Sequence, residues 1–182
     1  MSGKFFWLVV CTIFMLVGHL SYVLFFPPYM MEQKLSTSFV SNISPSFVIL
    51  DREQTLELFP AEDPNVLHGI CPFDVSQGTV KISIAPYMHY WSLSIYSQRG
   101  DSYYSINDRQ SLGSNLKIFV REASNDEADP NKKQQELVAD KTVIDAPALK
   151  GWAVLRFQIY NKAARAAIAE EMKTFTCERG EP

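Results

Sequence analysis

Histidine and cysteine are scarce in this chain, three of each among 182 residues. A nucleophile–histidine system needs an imidazole base beside an acyl acceptor, and outside the N-terminal apolar run only His68 and His89 are available to serve. The G-x-S-x-G elbow is absent. His68 and Cys71 have a spacing that could chelate, but a structural zinc site wants four ligands and no second close pair occurs. Neither an acidic calcium loop nor a glycine-rich phosphate cradle after a strand is present, so no metal and no cofactor is expected. Basic runs are also missing, the longest being Lys132-Lys133 in a chain of net charge −3 and pI near 5.6. That removes the electrostatic footprint of a nucleic-acid binder and argues against attachment to anionic lipid by charge.

What the chain does have is one long stretch without charge. From Phe5 to Phe26 there is no Asp, Glu, Lys or Arg. At about 1.5 Å per helical residue this spans a hydrocarbon core of roughly 30 Å. A cleaved signal peptide carries a shorter apolar region and a small-x-small site, whereas Leu24, Phe25, Phe26, Pro27 and Pro28 follow here, so the segment reads as an uncleaved anchor. Lys4 before the helix favours a cytoplasmic N-terminus. Cys11 follows the bulky Val10, which disfavours lipidation. His19 reads either as a mark of a partner helix or polar path or as an imidazole leaning toward the outer interface; the second is preferred, and Gly18 beside it leaves room for a helix to approach. Proline lacks an N–H, so Pro27-Pro28 is expected to end the helix. The expected organisation is an anchor over 1–28, a linker over 29–46 and one extracytoplasmic domain over 47–182.

Within that domain the dominant period is two. Val80, Ile82 and Ile84 alternate with polar residues, as do Trp91, Leu93 and Ile95, which predicts half-buried strands. Gln98-Arg99-Gly100-Asp101 supplies a turn before a strand over Tyr103 to Ile106, and Leu116, Ile118 and Val120 give another. Glu122 to Gln135 reads as a charged exposed loop. Trp152 to Tyr160 reads as a central strand, with Ala153, Leu155, Phe157 and Ile159 on one face. Asn161 can cap a following helix with Ala164, Ala167, Ile168, Met172 and Phe175 on its buried side. The expected fold class is therefore α+β: an N-terminal transmembrane helix, then a mainly antiparallel β-sandwich-like domain with a C-terminal helix.

Cys71, before the strand at Val80, and Cys177, closing the C-terminal helix, could form a disulfide if the domain lies outside the cytoplasm. The closed loop would exceed a hundred residues, worth on the order of 4 kcal/mol by chain entropy. Two unrelated buried thiols remain the alternative.

A sequence of spaced motifs carries a resemblance. Cys71-Pro72-Phe73-Asp74 with Gly78, Tyr90-Trp91-Ser92-Leu93-Ser94-Ile95-Tyr96, Gly100-Asp101, Tyr104-Ser105-Ile106-Asn107-Asp108-Arg109 and a late cysteine occur in this order. The chain after about Val66 resembles the bacterial domain of unknown function family 1254, in its short, membrane-anchored Gram-negative version. The resemblance implies an inner-membrane anchor and a periplasmic domain, and the family's members are similar to this chain in the cysteine pair Cys71 and Cys177. It implies no reaction and no cofactor.

Two groups of residues are candidates for function. Asn107-Asp108-Arg109 follows a strand directly and, with His89, could hold a small polar ligand or anion, Arg109 giving a planar fork. The same residues could cap a turn and bridge two loops. Tyr90, Trp91 and Tyr96, in a region also holding Tyr87, Tyr103 and Tyr104, could form a sticky surface for a protein or glycan, although core packing explains part of the set. Arg99-Gly100-Asp101 matches an adhesion tripeptide and is read as turn chemistry alone. The reading taken is a non-enzymatic cell-envelope interaction module with another envelope membrane protein as partner. The alternative is a periplasmic enzyme or small-ligand binding protein with its site near Asn107-Asp108-Arg109.

Overall fold

A computed structural model describes residues 3–35, 45–111, 115–123 and 141–181. Helix α1 runs Gly3–Leu35, and its stretch Gly3–Met30 is long and apolar enough to cross a membrane. Its side chains point outward unburied, and Thr12 turns its hydroxyl onto the Leu8 carbonyl at 2.9 Å instead of leaving it unpaired. The helix does not stop at Pro27-Pro28, as expected, but continues through both. Proline's fixed φ is itself helical, so the turn survives although two carbonyls one turn back lose their donors. Residues 29–35 of the expected linker are thus helical, and 36–44 lie outside the described residues.

The folded domain is a two-sheet sandwich. Its strands are β1 (Val48–Ile49), β2 (Val66–Asp74), β3 (Val80–Ile84), β4 (Trp91–Ser97), β5 (Ser102–Asn107), β6 (Leu116–Glu122), β7 (Lys141–Ala146), β8 (Lys150–Gln158) and β9 (Thr176–Arg179). One sheet has the order β1-β2-β8-β4-β5 and the other β7-β6-β3-β9. All pairings are antiparallel except β6 with β7. The α+β class and its mostly antiparallel sheets agree with the sequence pattern. β8 is central, as its apolar run implies, and Ala153, Leu155 and Phe157 face the space between the sheets with Leu93, Ile95, Ile82 and Ile118. The charged loop expected from Glu122 to Gln135 lies mostly outside the described residues.

Three short helices complete the domain. α2 (Arg52–Leu58) starts at a capping box, Asp51 Oδ1 accepting the Gln54 N–H at 2.8 Å while Gln54 Oε1 accepts the Asp51 N–H at 3.0 Å. It lays Leu58 over a second core with Leu50, Ile70, Trp152 and Val154, on the outer face of the five-stranded sheet. α3 (Asp108–Ser111) follows β5. α4 (Arg165–Met172) is shorter than the sequence suggested, because Asn161 caps a separate 3-10 turn over Lys162–Ala164 before it. Ile168 and Met172 seal the sandwich, and the Met172 sulfur packs where Gly69 of β2 leaves room. The chain then enters β9, so Cys177 lies in a strand of the second sheet and not at a helix end.

Cys71, likewise, sits inside β2 and not in a segment before the first strand. It points inward and forms a disulfide with Cys177, joining the two sheets.

Candidate functional site

The outward-facing positions of the five-stranded sheet assemble a polar row. Strand register aligns His68 with Arg156, Arg156 with Ser92, and Ser92 with Asn107. Because side chains alternate along a strand, the inward neighbours Leu67, Leu155 and Leu93 enter the core while this row faces out. The loop after α2 closes one end of the row. Phe59 tilts over the His68 ring at 5.2 Å, and Glu62 brings Oε1 to 3.1 Å from His68 Nε2 and 3.9 Å from Arg156 Nε. Arg156 Nη2 also reaches the Tyr96 hydroxyl at 3.5 Å.

His68 is fully excluded from solvent. Burial outweighs the nearby Glu62 carboxylate and pushes its pKa down, with Arg156 and Arg165 adding to the same direction. The neutral ring therefore donates Nε2–H to Glu62, and Nδ1 has no partner among the described residues. A base sealed from solvent in this way ties the 59–65 loop to the sheet. It cannot chelate with Cys71, since the two point to opposite faces of β2 and the cysteine is oxidised. Beside the row, a cleft of about 290 Å³ is lined by Asp63, Asn65, Tyr90, Ser92, Arg156 and Gln158. Among the described residues, no three His, Cys, Asp or Glu side chains gather as metal ligands.

The sequence-derived ligand group is arranged differently. Asn107 Oδ1 accepts the N–H of Arg109 at 3.1 Å and of Gln110 at 3.2 Å, and its own N–H donates to Gln110 Oε1 at 3.1 Å. Asn107 is thus a cap for α3. Asp108 buries one carboxylate oxygen without a partner among the described residues, and Arg109 is exposed. His89 stands apart from these contacts, its ring against Tyr160 at 4.4 Å and Tyr87 at 5.5 Å. Of the surface aromatics, Trp91 is 1% exposed and meets Phe175 at 5.8 Å, so it belongs to the core. The alternation that makes β4 a strand puts Trp91 in line with Leu93 and Ile95. Tyr96 is partly buried on the outer face, and Tyr90 is 47% exposed.

Tyr90 adjoins an apolar tip at the β3–β4 connection. Met88 is 97% and Tyr160 60% exposed, with Tyr87 anchored on Phe157 at 4.7 Å. Sequence reading missed Glu62 and Arg156. The signal for Arg156 was there, as a charge inside the apolar run Trp152 to Phe157 of the central strand.

A family model described as a protein of unknown function, DUF1254, matches residues 47–179. The chain belongs to the DUF1254 family. The matched span runs from just before β1 to the end of β9, so the family domain and the sandwich coincide. This DUF1254 domain is similar in fold to a crystal structure of a protein from Vibrio parahaemolyticus, with a TM-score of 0.59 at 13% identity over 86% of this chain. The chain covers 38% of that protein's length. An uncharacterised protein from Burkholderia cenocepacia aligns with a TM-score of 0.42 and 11% identity, over 62% of this chain and 31% of that one. No curated protein matches the sequence.

Proposed function

We propose that this DUF1254 chain is a non-enzymatic cell-envelope interaction module. In this reading α1 is a signal anchor in the bacterial inner membrane with a cytoplasmic N-terminus, residues 29–46 are the tether, and the domain over 47–182 works in the periplasm by contact with another membrane protein. The apolar tip carries the proposal: Met88 and Tyr90 are exposed on either side of His89, whose ring meets the exposed Tyr160 at 4.4 Å and Tyr87 at 5.5 Å, and Tyr87 packs on Phe157. Such clusters of exposed aromatic and methionine side chains are the residue types enriched at protein contacts. The disulfide supports the compartment, because such bonds persist where the surroundings are oxidising. Lys4 ahead of the apolar run supports the orientation.

Photo-crosslinking from position 88 in cells tests this reading. One discrete membrane-protein adduct, absent from position 109 and lost on replacing Tyr90 and Tyr160 with Ser, is the expected result. Equal, diffuse labelling from both positions would overturn it. A second reading, small-ligand binding, is favoured by the cleft beside Arg156. It centres the ligand site on Arg156, Ser92 and Tyr90 in place of Asn107-Asp108-Arg109 and His89.

A further inference from the structure

The N-terminal ends of α2 and α4 come together at the open edge of β2. Each begins with an arginine, Arg52 and Arg165, and both line a cleft of about 590 Å³ together with Pro64, Asn65 and Ile159. The same two arginines line the adjoining spaces of about 520 and 50 Å³. No carboxylate lines the largest of the three. The acids closest in the chain have other partners: Asp51 Oδ1 accepts the Gln54 N–H at 2.8 Å, Asp63 Oδ1 accepts the Asn65 N–H at 2.8 Å, and Glu62 holds His68 and Arg156. Among the described residues, neither Arg52 nor Arg165 forms an ion pair.

Two guanidinium groups around one space repel each other, and an anion between them relieves that repulsion. Asp51 lines the space of about 520 Å³ and Glu62 and Asp63 the one of about 50 Å³, whereas both arginines line the cleft of about 590 Å³ with no carboxylate among its lining residues. Each guanidinium offers a planar fork of donors suited to bidentate contact with oxyanions, and two positive charges match a phosphate better than a single carboxylate. Asn65 adds an amide, while Pro64 and Ile159 give apolar walls for whatever the phosphate is attached to. The cleft is within the size range of small-molecule sites. We infer that Arg52 and Arg165 form a binding site for a phosphate group carried by a small molecule or a lipid headgroup. This inference does not depend on the apolar tip.

The test uses the full chain in phosphatidylcholine nanodiscs at low salt, following the side-chain Nε–H resonances of its arginines by NMR. Inorganic phosphate is titrated first, and nanodiscs containing phosphatidylglycerol are compared second. A saturable shift of Arg52 and Arg165 with phosphate, leaving Arg109 unmoved, assigns the site to soluble phosphates. The same two shifts with phosphatidylglycerol alone assign it to a headgroup. Arg52→Gln, with the remaining spectrum unchanged as proof of fold, should weaken the Arg165 response roughly tenfold or more. Arg52→Lys should fall between. No shift with either probe, or an equal shift of Arg109, overturns the inference.

Discussion

His68 Nε2 lies 3.1 Å from Glu62 Oε1 on a ring that solvent does not reach, two strands away from the exposed aromatic tip. Burial holds the folded-state pKa of this histidine below its ordinary 6.5. The neutral form is thus favoured by folding, and its contribution is complete above about pH 6.5 and lost as pH falls toward the folded value. Thermal unfolding of the full chain in detergent should show a steeper loss of Tm between pH 7 and 5 than His68→Gln does. Parallel pH profiles for the two proteins would refute this.

The disulfide closes a sequence separation of 106 residues. Replacing both Cys71 and Cys177 with Ala should cost about 2–5 kcal/mol, read as a lower denaturant midpoint. Reductant should lower the midpoint of the native chain and leave the double variant unaffected.

Tyr90 and Trp91 are adjacent in sequence and opposite in environment. Trp91→Ala opens a cavity against Phe175 and should cost about 3–5 kcal/mol, whereas Tyr90→Ala at an exposed site should change stability by no more than about 0.5 kcal/mol. A chemical denaturation series on both variants decides it.

Gly151 is required by its neighbours. A Cβ there would sit 2.4 Å from the Tyr96 carbonyl oxygen and 2.8 Å from Phe73 Cζ, so Gly151→Ala must shift backbone and should cost about 3 kcal/mol. At Gly69 the nearest atom is the flexible Met172 sulfur at 3.3 Å, and Gly69→Ala should cost clearly less. Comparing the two midpoints checks the ranking.

The strands with clean alternation, β3, β4 and β6, were legible in the sequence, as were the central β8 and the apolar α1. β2 was not, because both of its faces are buried and Gly69 and Pro72 interrupt it. Pro72 is tolerated since β1 pairs only with Gly69 and Ile70, leaving that edge free of a donor requirement. α2 was signalled only by Asp51 and Gln54 at capping-box spacing. The outer-face row stayed hidden for a different reason: His68, Arg156, Ser92 and Asn107 meet through strand register between distant segments, which no local pattern encodes. Asn107-Asp108-Arg109 stood out in the sequence because it is locally dense, and within it Asn107 caps α3.

The covalent tie between β2 and β9 also sets how the domain bears mechanical load. Tension applied between α1 and residue 181 could peel β1 and the part of β2 ahead of Cys71, and then would pass through the sulfur bridge to Cys177. The segment between the two cysteines, which holds β3 through β8 and α4, would be shielded from the pull and could not be drawn out while the bond stays oxidised. An anchored domain built this way has a hard limit on its extension, and reduction of one bond removes that limit.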